Sequence, residues 1–539
     1  MFAVKKLLSC FLALLLLFTL CIPAFAADED TASGLYLPTI YILGRNDTIY
    51  ANYGTPDQKV VWNGRVPVPD GLIADMAKEL LPLFLKALLR NDYKEWAEKF
   101  SEHFAKIYKD IVLDKKAQPQ PGSINSWQIP DNPGDHRAAD GTYGLWEYSF
   151  RYDWRLDPLQ IAERLNKYIE GVLAATGAKK VNLAARCEGG SILLAYLYRF
   201  GPDKIAGAMT IGSSMNGCME ISDLFSGDVD IRSDAVNRFI TRYIGSDDYK
   251  GIQSEYFDDP VVIEYLKATV ALLATSGSLE LPIHQALKLF DKVKAEVYPG
   301  LLMSSYGTFP GYWAMVDDAH YETAKSLAGL TDNAEWADFV SVIDTYHYEV
   351  FNHCAEILHS CVDQGMYFTN LVKYGMDAIP VFGEGNKIND RVVTAEQASM
   401  GATCARVNET LPADRIAAVD KKYISPDKQI DASTCAFPET TWFFKYCDHS
   451  YWGDACQDWM YAVLRSGGTL TADDPVWQRF MVYDYKTHTA EPMTEENADK
   501  FATNEITSPF EAFLVQLRTF FGTLKFYVQL LAERLRSKS

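Results

Sequence analysis

The sequence predicts an α/β fold built on a mostly parallel sheet, and three observations carry that reading. First, Val181 to Arg186 is an apolar, strand-like run that stops at Cys187-Glu188-Gly189-Gly190. A helix over Ile192 to Tyr198 follows, closed by Gly201-Pro202. Second, another apolar strand comes next, at Ile205 to Ile211. Strands that alternate with helices belong to parallel sheets, because a parallel return needs a crossover. Third, a chain of 539 residues that is 48% hydrophobic can bury a large core, which suits one large domain with insertions.

Taken in order, the chain opens like a secretory signal. Lys5 and Lys6 precede an apolar run from Leu7 to Leu20, and Ala24-Phe25-Ala26 forms an A-x-A cleavage site. Export with cleavage near Ala26 is the expectation. Losing Lys5 and Lys6, with no acid in that segment, takes the net charge from −20 to −22, which argues against nucleic acid as a partner. No other stretch reaches 18 uninterrupted apolar residues, so no membrane span is expected in the mature chain.

Pro38 to Arg45 reads as a buried strand ending in Gly44-Arg45. Helical spacing over about 70–115 suggests an early insertion, and Ala117 to Asp140 is loop-like in composition. Leu145 to Phe150 alternates like a strand. Asp157-Pro158 then caps a helix with Ile161, Leu165, Tyr168, Ile169, Val172 and Leu173 on one face, ending at Gly177. This gives a first core segment at 27–218. A helical, aromatic-rich lid at 219–373 follows, then a second core segment at 374–470 with strands at Ala378 to Gly383 and Thr440 to Tyr446. The remainder, 471–539, is an extension holding an amphipathic helix at 508–538. That helix either docks on the core or rests on a membrane or lipid surface.

Of ten cysteines, Cys10 and Cys21 leave with the signal. Cys354 and Cys361 sit two helical turns apart, about 10 Å, too far to bridge. Cys404 with Cys435 is the expected pair if a disulfide forms.

Cys187 is the candidate nucleophile. It stands where a strand turns sharply into a helix, with small residues two positions to either side, Ala185 and Gly189. Such a turn tolerates no bulk there, because side chains at those positions would collide.

Tyr152-Asp153-Trp154-Arg155, the segment Arg186-Cys187-Glu188-Gly189-Gly190 and the turn Ile211-Gly212-Ser213-Ser214 together resemble the lecithin:cholesterol acyltransferase family of α/β-hydrolases. The resemblance spans roughly residues 35–215 and 375–465. It departs at Cys187, where the family has Ser (polyester synthases share this Cys), and at Arg186, where the family usually has His. The resemblance implies an α/β-hydrolase fold, with the helical lid and the tail outside it. It also implies acyl transfer without cofactor or metal, on a small-molecule or lipid acyl substrate, and a chain order of nucleophile, acid and histidine.

On that order His449 is the base, because Cys447-Asp448-His449-Ser450 follows what reads as the last strand. Ser425 to Thr434 resembles the family's G-D-G-T-V-x-x-x-S segment, which makes Asp427 the acid, with Asp431 as rival and Glu384 as a weaker third candidate. The oxyanion donors implied are the backbone N–H groups of Glu188 and Arg45. Asp153 and Arg155 would pair, shaping the site or bracing a strand end. Arg186 flanks the thiol and could favour thiolate. Two rival readings stay open: a Cys hydrolase of small esters or thioesters, and a hydrolase fold disarmed by Cys187 and kept as a binding protein.

Overall fold

The computed structural model describes residues 34–500, apart from 45–47, 64–71, 121–123, 126–128, 131, 244–259, 452 and 486. The expected signal at 1–26, Arg45 and the expected helix at 508–538 lie outside the described residues.

An eight-stranded sheet organises the chain. Its strands are β1 (Thr39–Ile42), β2 (Tyr148–Phe150), β3 (Val181–Arg186), β4 (Ile205–Ile211), β5 (Tyr367–Tyr374), β6 (Thr441–Lys445), β7 (Phe480–Asp484) and β8 (Thr489–Pro492). In space the order is β8-β7-β6-β5-β4-β3-β1-β2, and every neighbouring pair is parallel except β7 with β8. β3 sits between β1 and β4, with Ala185 opposite both Ile42 and Thr210. The carboxyl ends of three strands therefore meet around the residue that follows Arg186.

Strand alternation divides the core into two layers. Val181, Leu183 and Ala185 of β3 face one side, with Ile40 and Ile42 of β1. There they meet helices α1 (Pro158–Thr176) and α2 (Gly189–Phe200), which cross over from β2 to β3 and from β3 to β4. Ala184, Tyr41, Met209, Leu371, Trp442 and Phe444 face the other side. They pack on α3 (Asp454–Arg465) through Trp459, Met460 and Val463. α1 begins as its sequence implies: Asp157 accepts the Leu159 N–H at 3.0 Å, and Gly177 closes the helix at φ +71°.

Two strand assignments need correction. The sheet resumes at Tyr367, inside the expected lid, and Ala378 to Gly383 forms no strand of it. Pro380 lacks a ladder donor there. β5 itself is hard to read, because Thr369, Asn370 and Lys373 interrupt its apolar pattern while fully buried. Two of them are accommodated: Asn370 donates to Ala398 O and accepts from Thr210 Oγ1, and Lys373 reaches the loop after β6. Nor is Thr441–Lys445 the last strand, since β7 and β8 follow from residues expected to be an extension.

The stretch between β4 and β5 is largely helical. Its longest helix, Glu280–Met303, packs against Lys94–Tyr108 of the early insertion through Val293, Val297, Tyr93 and Ala97. Among the described residues no helix is long and apolar enough to cross a membrane. The eight cysteines there are all free thiols, so the expected Cys404–Cys435 bridge is not formed.

Candidate active site

β3 delivers Cys187 into the turn before α2 at φ +52°, a left-handed conformation that L side chains rarely adopt. Glycines make the turn possible. A Cβ on Gly189 would stand 2.6 Å from the Ile42 carbonyl oxygen and 2.9 Å from that of Leu43. One on Gly190 would fall 1.9 Å from Ser213 Oγ. The expected turn after β4 packs here too, with Ser214 N–H donating to the Cys187 carbonyl at 3.2 Å. A Gly189→Ala substitution therefore pushes α2 off β1, a clash with backbone that cannot rotate away. It should cost about 1–3 kcal/mol, read as a lower urea midpoint at unchanged slope.

His449 follows β6 and is 8% exposed. Its Nδ1 lies 2.7 Å from Asp390 Oδ2, which leaves Nε2 for the Cys187 thiol that the ring faces. Burial disfavours charge on this ring, but the Asp390 carboxylate and Cys187 outweigh it and raise His449 to about 10. Asp390 is fully buried and held on both sides: Oδ1 accepts the N–H groups of Val392 and Val393 at 3.1 and 2.8 Å, and its carbonyl accepts His449 N–H at 2.9 Å.

The carboxylate at His449 is thus Asp390, a residue the sequence reading did not select. Asp427 is instead buried against Lys445 Nζ at 2.9 Å, with Ser425 Oγ and Tyr374 OH also donating to it. Asp431 pairs with Arg415 at 2.7 Å and caps the following turn through Ser433 N–H. Glu384 pairs with Lys387 at 2.6 Å. A local signal for Asp390 exists. Asp390 accepts the N–H groups two and three residues on, and Thr394 then opens a helix with a capping box to Gln397. The likeness of Ser425 to Thr434 to the family's acid-bearing segment points past that turn to Asp427.

The remaining expected residues fall close to the site or brace it. Arg186 donates to the carbonyls of His449 and Ser450 at 3.4 and 3.2 Å, so its guanidinium holds the histidine loop. Lys373 adds contacts to the Asp448, His449 and Tyr451 carbonyls. Asp153 and Arg155 form a buried bidentate pair at 2.9 and 2.6 Å, and Arg155 also reaches Ile111 O at 2.8 Å. Glu188 directly follows Cys187 at the α2 N-terminus, and Gly44 borders Cys187.

A cavity of about 400 Å³ opens over these groups, lined by Leu43, Gly44, Arg186, Cys187, Glu188, Cys218, Glu220, Ile221, Met315, Val392, His449 and Ser450. Among the described residues no Phe, Tyr or Trp lines it. Rings of the helical insertion gather instead on the Tyr152–Arg155 segment, with Phe309 and Tyr312 at 5.5 and 5.9 Å from Trp154.

No protein-family model matches the chain, and no curated protein matches it. Solved structures do. One that matches is described as the crystal structure of the Tle4-Tli4 complex. It is 12% identical, with the likeness covering 62% of this chain and 75% of that chain at a TM-score of 0.20. The mostly parallel sheet and its strand–turn–helix elbow are consistent with an α/β-hydrolase-like fold.

Proposed function

We propose that the protein is an acyl-transfer enzyme working through Cys187, His449 and Asp390. The observation that carries this reading is one grouping: Asp390 Oδ2 on His449 Nδ1 at 2.7 Å, and the same ring in one cavity wall with a thiol held on a strained elbow. The imidazolium beside the thiol favours thiolate. The thiolate attacks an ester or thioester carbonyl carbon, and the oxyanion forms against the Glu188 N–H, with a second donor from the loop after Gly44. Collapse breaks the bond to the leaving group, which takes the His449 Nε2 proton and departs, leaving a Cys187 thioester. Water, or an acceptor alcohol, then gives its proton to Nε2 and attacks the thioester. The acid or new ester is released and the thiolate–imidazolium pair returns.

The cavity wall favours a compact acyl group. Arg186, Glu188 and Glu220 share it with Leu43, Ile221, Met315 and Val392, a mixed surface unlike an alkyl-chain tunnel. We therefore place the substrate among short acyl esters or thioesters. Export after a signal at 1–26, and membrane contact through 508–538, remain part of the proposal on the sequence pattern alone.

The test is mass spectrometry of the full protein after reaction with acyl esters of increasing chain length. The expected result is an acyl adduct on Cys187 alone, formed fastest with short chains and lost in His449→Gln. An adduct that persists in Cys187→Ala overturns the mechanism, and a rate rising with chain length overturns the substrate class. If no adduct forms at all, the protein is a binder rather than a catalyst.

A further inference from the structure

Outside the active-site cavity, three side chains from two helices and the turn that ends one of them converge. Asp223 lies in the helix Met219–Ser226 and is 1% exposed. Asp228 follows the Gly227 cap of that helix, and His320 lies in the helix Asp318–Leu327 of the insertion. Their donor atoms all lie within 4.8 Å of one another.

The imidazole is oriented as a ligand would be. His320 Nδ1 sits 2.6 Å from Asp317 Oδ1, while Asp317 Oδ2 accepts Gln397 Nε2 at 2.9 Å. A carboxylate on Nδ1 fixes the tautomer that leaves the Nε2 lone pair pointing outward, the usual support for a metal-bound histidine. Nε2 then faces Asp223 Oδ1 at 3.8 Å and Asp228 Oδ2 at 3.7 Å, both beyond hydrogen-bond range.

Asp223 supplies a separate observation. Its Oδ2 accepts Glu384 N–H at 2.9 Å, but Oδ1 is sealed from solvent and accepts no hydrogen bond. A buried carboxylate oxygen with no donor is costly unless something positive occupies the space before it. Metal bonds of about 2.1 Å let two ligand atoms stand up to about 4.2 Å apart. The 3.7 and 3.8 Å separations lie within that reach.

We infer that Asp223, Asp228 and His320 bind a divalent transition cation, with Zn²⁺ as the best match. One nitrogen and two carboxylate oxygens suit zinc with a water completing the shell, whereas Ca²⁺ takes six to eight oxygens. The ion would tie the helical insertion, through His320, to the segment leaving β4. Through the Glu384 N–H it would also steady the loop that runs on to Asp390.

The test uses the full-length Cys187→Ser protein, which removes the active-site thiol as a competing zinc ligand. It is dialysed against ZnCl₂, then assayed for metal content and zinc-edge X-ray absorption. One zinc per chain is expected, with nitrogen and oxygen neighbours at about 2.0–2.2 Å and no sulfur at about 2.3 Å. Asp317→Asn should weaken binding about 10–100-fold, and Asp228→Asn at least as much. Asp228 is half-exposed, so that variant keeps its fold. Zinc should raise the melting temperature of the parent but not of Asp228→Asn. No bound zinc in the parent, a sulfur shell, or unchanged affinity in Asp228→Asn overturns the assignment and leaves an ordinary ionic network around a protonated His320.

Discussion

Asp390→Asn lowers ester turnover by about 10⁴-fold with the fold intact, whereas Asp427→Asn leaves turnover within a few-fold. The contrast follows from what each carboxylate touches. Asp390 Oδ2 fixes the His449 tautomer and stabilises the imidazolium. An amide in its place can offer N–H to Nδ1 and turn the ring's proton toward the thiol in the wrong state. Asp427 instead neutralises Lys445, so its loss is felt as stability.

The pH profile gives a second readout. A ring raised to about 10 keeps its proton through neutral pH, so leaving-group protonation is lost only as pH climbs through that value. The sign for folding is the same. A pKa raised above its unfolded value adds stability that is full below the unfolded pKa and gone above the folded one. Asp390→Asn should move the alkaline limb to lower pH. An Asp427→Asn enzyme with the larger turnover loss would return the acid to the residue first expected.

Arg155→Met is expected to destabilise the protein by about 3–5 kcal/mol, read as a fall in the urea midpoint. The guanidinium is fully buried, and its removal strands the Asp153 carboxylate in the core. Two segments lose their shared anchor at once: Arg155 Nη1 reaches Ile111 O, and Asp153 takes the bidentate pair. The double replacement Asp153→Leu with Arg155→Met should recover part of the loss, because no charge is then left unpaired. If the single change costs under about 1 kcal/mol, the pair is solvated and braces nothing.

The elbow was legible because its sterics leave a mark on sequence. Gly189 and Gly190 are small because a Cβ on either would meet its neighbours at 2.6 and 1.9 Å, and Asp157-Pro158 with Gly177 bracket α1 as capping rules require. His449 was legible because a clear apolar strand precedes it. Asp390 was not, because Ser425 to Thr434 carries the likeness to the family's acid-bearing segment; β5 was missed because Asn370 and Lys373 are buried polar residues whose partners come from distant parts of the chain. Periodicity cannot see such partners, so the strand is hidden in the sequence. β7 was readable in principle, since Phe480 to Tyr483 is an unbroken apolar run, yet it lay beyond what had been taken for the last strand.

Arg186 and Lys373 grip the histidine loop by its main chain: the carbonyls of Asp448, His449, Ser450 and Tyr451 each receive one or both cations. Every residue type carries a carbonyl. The latch is therefore blind to side-chain identity, and the positions around His449 can drift over generations, reshaping the rim of the cavity, without shifting the imidazole.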